Sequence, residues 1–101
     1  MNMSISEIMK EFIENIVKLI VDKPEEVKVE VSNTTKSILI QISADKSDLG
    51  KIIGKKGRTI DALKLLSSVV KNTQFIGDIK DVFIEIIEDE KSTFFKKTKT
   101  L

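Results

Sequence analysis

The chain has 101 residues, 41% of them apolar and 33% charged, and its formal net charge is +1. That length suits one domain with a modest core, and the mixture is that of a soluble globular protein. Cysteine and histidine are both absent, which excludes disulfides and thiolate metal sites and removes the commonest general base and the strongest nucleophile.

Ser4 followed by Glu7 has capping-box spacing and predicts the start of a helix. Ile5, Ile8, Met9, Phe12, Ile13, Ile16, Val17, Leu19 and Ile20 then recur every three or four residues, with Glu7, Lys10, Glu11, Glu14 and Lys18 outside the stripe. The polar face carries more acid than base, so the stripe is expected to pack in a core rather than lie on anionic lipid. Lys23-Pro24 ends the helix, because a residue before proline avoids the α region.

Val27, Val29 and Val31 alternate with Glu26, Lys28 and Glu30, the period of a half-buried strand. Asn33 to Lys36 reads as a turn, and Ile38, Ile40 and Ile42 alternate through a second strand, which together predict a hairpin. Asp45 is the expected N-cap of a short helix carrying Leu49, Ile52 and Ile53. A Gly54–Gly57 turn follows. From about Arg58 to Lys71 a longer helix presents Ile60, Leu63, Leu66, Ser67 and Val70 on one face. Residues 72–78 read as a loop, and Val82, Ile84 and Ile86 as a third strand.

The predicted order is α-β-β-α-α-β. A two-helix crossover makes the second and third strands parallel if they are neighbours. The expectation is therefore an α+β domain, a three-stranded mixed sheet covered on one face by three helices. One domain is expected over residues 1–90, with 91–101 as a C-terminal tail. No apolar run approaches the roughly 18 residues that cross a bilayer. No basic segment followed by an apolar one marks a secretory signal. A cytoplasmic location, away from membranes, is the expectation.

The near-neutral total conceals a gradient. Residues 1–30 hold four Lys against seven acids, a local charge of −3. Residues 46–71 hold Lys46, Lys51, Lys55, Lys56, Arg58, Lys64 and Lys71 against Asp48 and Asp61, a local charge of +5. Such a segment is either a solvated helix face or a field that attracts a polyanion. Its centre is Ile52-Ile53-Gly54-Lys55-Lys56-Gly57-Arg58-Thr59-Ile60. Glycines let backbone approach backbone, the lysines place charge on an exposed turn, and a helix start favours anions.

Nucleotide-hydrolysing motifs do not fit. Only three residues separate Gly50 from Gly54, and Lys56 stands where a P-loop needs Ser or Thr for magnesium. The glycine register also fails the dinucleotide fingerprint. No catalytic residues, metal ligands or cofactor are expected.

The nine-residue motif between two helices of this order resembles that of type II KH domains, where a Gly-x-x-Gly loop clamps nucleic-acid backbone. Asp22-Lys23-Pro24-Glu25-Glu26-Val27, Asp48-Leu49-Gly50-Lys51-Ile52-Ile53-Gly54 and Ile84-Glu85-Ile86-Ile87-Glu88 further resemble the KhpA (YlqC) family of small bacterial single-KH RNA-binding proteins. The resemblance spans roughly residues 5–90.

It implies non-catalytic binding of single-stranded RNA, with Gly54, Lys55, Lys56 and Gly57 on the sugar-phosphate backbone. Leu49, Ile53 and Ile60 become candidates for the wall of the base groove, Ile60 serving either that wall or the core. Arg58 and Thr59, at the first turn of the following helix, become candidates for polar or charge-assisted contacts, and Lys51 is a further RNA-binding candidate. The resemblance also implies RNA chaperone or post-transcriptional activity, a link to cell-shape and cell-wall control, and pairing as a homodimer or with a Jag-type KH protein. The rival reading is a KH-fold module whose partner is mainly that second protein.

Two departures from the family stand out: a longer loop over residues 72–80, and a tail with Phe94, Phe95 and four lysines. The tail reads either as a frayed end or as a backbone-tracking arm with stacking rings.

Overall fold

The computed structural model describes residues 3–88; the 91–101 tail lies outside the described residues. Helix α1 spans Ile5–Ile20 and opens on the expected capping box, with Ser4 Oγ accepting from Glu7 N and Glu7 Oε1 accepting from Ser4 N. Its apolar stripe buries Ile5, Met9, Ile13 and Val17, while Leu19 at the far end faces solvent. Truncating a side chain such as Ile13 to alanine would cost about 2–5 kcal/mol, since the surrounding core relaxes only partly. Pro24 opens a 3₁₀ turn over Pro24–Glu26, where its missing N–H costs nothing.

Strands β1 (Lys28–Asn33) and β2 (Ser37–Ser43) form the expected hairpin, with Val31 opposite Ile40 and Asn33 opposite Ile38. Thr34 closes it: its hydroxyl donates to Ser37 O and accepts from the Lys36 and Ser37 N–H groups. A 3₁₀ turn over Lys46–Asp48 leads into α2 (Leu49–Ile53). Asp45 caps that turn, accepting from Ser47 N. After the glycine turn comes α3 (Arg58–Gln74), and then β3 (Asp81–Ile87). β3 lies parallel to β2, Ile40 beside Ile84, and the sheet order is β1-β2-β3. This is the predicted α+β arrangement, a mixed three-stranded sheet with three helices, as in type II KH domains.

The helices share one face of the sheet. α1 packs on β1 and on α3, α3 packs on β3, and α2 touches both other helices. Ile38, Ile40, Ile42, Val82, Ile84 and Ile86 all point into this layer, so both parallel neighbours contribute one buried side each.

Two expectations about α3 need correction. The helix continues three residues past Lys71, to Gln74, so the connection to β3 is residues 75–80. Asn72, Thr73 and Gln74 carry no breaker, and the chain leaves the helix only at Phe75. Leu66, expected on the inner face, is 45% exposed. The buried line runs instead through Ile60, Leu63, Ser67 and Lys71, a narrower stripe tilted by one position. Ser67 survives burial because its hydroxyl donates to Leu63 O at 2.8 Å.

Lys71 is 4% exposed, an unusual place for an ammonium group. Its Nζ donates to the Asp78 carbonyl at 3.1 Å and to the Lys80 carbonyl, and lies 3.7 Å from the Asp78 carboxylate. Three donors thus meet three acceptors, as a buried charge requires. The lysine organises the 75–80 connection around itself.

Candidate nucleic-acid interface

Gly54 ends α2 with φ 80° and ψ 167°, a region open essentially to glycine alone. Its N–H donates back to Gly50 O, and its carbonyl accepts from Gly57 N at 3.0 Å, closing a four-residue turn. Lys56 takes φ 57° and Gly57 φ 72°, so three of the four residues have positive φ. The path reverses tightly and delivers the chain to the first turn of α3. Gly57 is the N-cap and offers no side chain to the first-turn N–H groups, whose dipole end faces the turn.

The turn projects Lys55 and Lys56 into solvent, with Arg58 exposed beside them. Among the described residues none of the three takes part in a salt bridge. Gly54, Lys55, Lys56, Gly57 and Arg58 are therefore brought together as a cationic edge backed by a helix N-terminus. That edge has the charge and exposed backbone donors to hold successive phosphates.

The remaining predicted site residues divide differently. Leu49, expected at a groove wall, and Ile60, expected either at that wall or in the core, both belong to the core cluster at 5% and 3% exposure. Ile53 is half-buried against that core and alone of the three presents apolar surface beside the turn. Thr59 is half-buried and packs on Gly54, so its contact is with the turn itself.

Lys51 is engaged by the protein's own carboxylates. Its Nζ lies 3.1 Å from the Asp22 carboxylate and 3.8 Å from that of Asp48. The hydrogen bond to Asp22, followed by the attraction of Asp22 and Asp48, holds its pKa above the usual 10.5. Its charge ties α2 to the segment following α1 and is largely answered before any ligand arrives. Lys71, as described above, is buried and answered too. The +5 of residues 46–71 thus overstates the field: the surface cations Lys46, Lys55, Lys56, Arg58 and Lys64, unpaired among the described residues, stand against exposed Asp61, five less one, a local charge of +4.

Sequence reasoning missed the residue that fixes this arrangement. Asp48 is fully buried, and its two carboxylate oxygens accept from Asp22 N at 3.0 Å and Lys23 N at 2.9 Å. Backbone donors and Lys51 compensate the buried charge. The carboxylate anchors the start of α2, and so the turn that follows, against the end of α1. A pointer was present in the sequence: Asp48 and Lys51 are three apart, a spacing at which helical side chains meet.

Among the described residues there is no cluster of three or more metal-binding side chains, and no helix is long and apolar enough to cross a membrane.

Residues 10–92 match the family model described as KhpA/KhpB, KH domain. The chain is 42% identical over 82 residues to the RNA-binding protein KhpA of Chlamydia pneumoniae, covering 81% of this chain and all of that protein. It is 42% identical over 79 residues to RNA-binding protein KhpA of Clostridium perfringens, covering 78% of this chain and all of the relative. The protein of the same name from Thermotoga maritima is 38% identical over 79 residues, covering 78% of this chain and 99% of the relative. No solved structure matches the chain significantly.

Proposed function

Because the chain belongs to the KhpA/KhpB KH-domain family, we propose that it binds single-stranded RNA without catalysing a reaction, gripping the backbone at Gly54–Gly57. The observation carrying this reading is the strained glycine turn that presents Lys55 and Lys56, unpaired among the described residues, at the start of α3. Two ammonium groups, the Arg58 guanidinium and a helix N-terminus converge there, the combination that phosphate recognition uses. Ile53 provides the apolar surface next to it for a base. The names of the relatives, RNA-binding protein KhpA, support the same ligand.

A single small KH domain that holds RNA by its backbone suits an RNA chaperone or post-transcriptional regulator in the cytoplasm. The family resemblance adds the link to cell-shape and cell-wall control. The direct test is Lys55→Asp with Lys56→Asp in a binding titration against single-stranded RNA. Binding should be lost while thermal stability stays nearly unchanged, because exposed loop charges rarely stabilise a fold. A double variant that binds like the parent contradicts the clamp.

A second reading, association with another KH protein, is favoured by one observation. Leu65, Leu66 and Val69 on α3 are 66%, 45% and 50% exposed, three neighbouring aliphatics on a helix surface. A homodimer, or a pair with a Jag-type KH protein, would cover them. Leu65→Glu should then reduce the mass measured by light scattering without lowering the melting temperature. An unchanged mass, or a parent that is monomeric at every concentration, removes this reading.

A further inference from the structure

Glu85 is more deeply buried than its place in the sheet accounts for. Val82, Ile84 and Ile86 point into the helix layer, so Phe83, Glu85 and Ile87 face the other way. The three helices occupy one side of the sheet, and no described element covers this outer side. β3 is also an edge strand, with β2 on one flank and no strand on the other among the described residues. An outward residue there should be wetter than its neighbour on the central strand. The order is reversed. Glu85 is 4% exposed, whereas Gln41, its register partner on β2, is only half-buried.

The surroundings of Glu85 define what suits this face. Gln41 Nε2 donates to Glu85 Oε1 at 2.7 Å. Phe83 and Ile87 flank Glu85 two positions away on β3, and Leu39 lies beside Phe83 on β2. Glu30, opposite Gln41 on β1, adds a second carboxylate to the row, and Lys28 stands in the next row. Lys64 approaches the rim from α3, 5.5 Å from the centre of the Phe83 ring. An acidic row set in apolar surface suits a segment that carries both aromatic rings and ammonium groups.

The chain supplies such a segment next to it. β3 ends at Ile87, two residues from Glu85, and the sequence continues through Lys91, Phe94, Phe95, Lys96, Lys97 and Lys99. Extended at about 3.3 Å per residue, residues 89–101 reach roughly 40 Å, and β3 is about 23 Å long. A return along the outer face can therefore reach every position from Ile87 to Asp81. Being covalently joined, the segment docks without the translational cost that a separate partner carries.

We propose that residues 89–101 fold back over the outer face of β3, with Phe94 and Phe95 on Leu39, Phe83 and Ile87 and the lysines around Glu85. The tail is then an intramolecular clasp rather than a frayed end or an arm that tracks RNA. Its lysines are engaged on the sheet and add nothing to the cations at the glycine turn. The proposal stands independently of the RNA reading.

The test uses the full chain, which has no cysteine. Thr98→Cys therefore gives a single site for a nitroxide label, and amide NMR signals are compared with the nitroxide oxidised and reduced. The signals of Leu39, Gln41, Phe83 and Glu85 should lose most of their intensity, while those of Glu11 and Lys18 on α1 should keep theirs. Phe94→Ser with Phe95→Ser should restore most of the lost intensity, and Glu85→Gln should restore part of it. Thermal melts of each variant report folding separately. A tail that broadens no outer-face signal overturns the clasp, as does broadening centred on Lys55 to Arg58. Broadening that persists unchanged in either variant would overturn it too. Mixing labelled protein with an unlabelled, isotopically enriched copy distinguishes the remaining occupant. Broadening in that mixture would assign the face to a second copy's tail and contradict an intramolecular clasp.

Discussion

Gly54 and Thr59 are in such close contact that a single added methyl group cannot fit between them. A Cβ built on Gly54 would stand 2.7 Å from both the backbone nitrogen and the Cβ of Thr59, and closer still to its hydroxyl oxygen. The first turn of α3 thus rests directly on the residue that ends α2. The turn carrying Lys55 and Lys56 is held at both ends by backbone contact, which fixes the direction in which the two charges project.

Replacing Gly54 by alanine should therefore damage the fold as well as the site. The dihedrals alone cost about 1–3 kcal/mol for a residue with a side chain, and the collision falls on backbone, which cannot swing aside. We expect a loss of about 2 kcal/mol or more, a fall in Tm of roughly 10 °C for a domain of this size. An unchanged melt of Gly54→Ala would show that the turn is not built this way.

Lys56→Gly should separate charge from strain. Lys56 sits at φ 57°, a left-handed conformation that costs about 1–2 kcal/mol with a side chain. Glycine relieves this but gives the unfolded chain about 0.5–1 kcal/mol of extra entropy, so stability should stay within about 1 kcal/mol of the parent. RNA affinity should fall, and the salt slope should shrink by about 0.7, the share of one phosphate on a single strand. A slope equal to the parent's would place Lys56 away from the backbone.

Asp48 and Lys51 should behave unequally although they touch. Asp48→Ala strips two backbone N–H groups of their acceptor, and should cost about 2–4 kcal/mol. Lys51, with 43% of its side chain exposed, pairs at the surface, so Lys51→Ala should cost less and leave the salt slope of RNA binding as it was. Equal losses of stability, or a reduced slope in Lys51→Ala, would contradict the assignment of Lys51 to the protein's own structure.

The pH dependence has a definite sign at each end. Asp45 is held below its usual 3.8, first by hydrogen bonds from the Ser47 side chain and backbone and then by nearby Lys23. A lowered carboxylate stabilises above its unfolded pKa and loses that contribution as pH falls through the folded value. The Tm gap between the parent and Asp45→Ala should therefore be constant near neutrality and narrow only below about pH 4. Lys51, raised above 10.5, contributes fully below that value and loses its share as pH rises past it. Between pH 5 and 9 the gaps for Asp45→Ala and for Lys51→Ala should each stay constant, and one that narrows there would contradict the assignment of that residue.

Residue periodicity carried most of the architecture. The capping box at Ser4, the alternating Val29 and Val31, and the alternating Ile38, Ile40 and Ile42 each have one physical reading, and the chain adopts it. The turn was legible because paired glycines mark positive-φ backbone, which Gly54 and Gly57 both adopt. What escaped was whatever depends on partners distant in sequence. Asp48 reaches back to Asp22 and Lys23, and Lys71 reaches forward to Asp78 and Lys80, partners that no local pattern identifies. Lys71 did leave a trace, a charged residue eight positions after Leu63 on the inner stripe. Leu49 and Ile60 show the opposite limit, since an aliphatic beside a binding turn and an aliphatic in a core look alike until packing separates them.

The measurement that bears most directly on the backbone clamp is the salt dependence of single-stranded RNA binding by the parent protein. Lys55, Lys56 and Arg58 are the exposed cations at the turn, so about three phosphates should be neutralised. At roughly −0.7 per phosphate the log–log slope should be near −2, a loss of affinity of roughly 20-fold between 50 and 200 mM salt. A slope near zero would mean that the Gly54–Gly57 turn does not hold the RNA backbone.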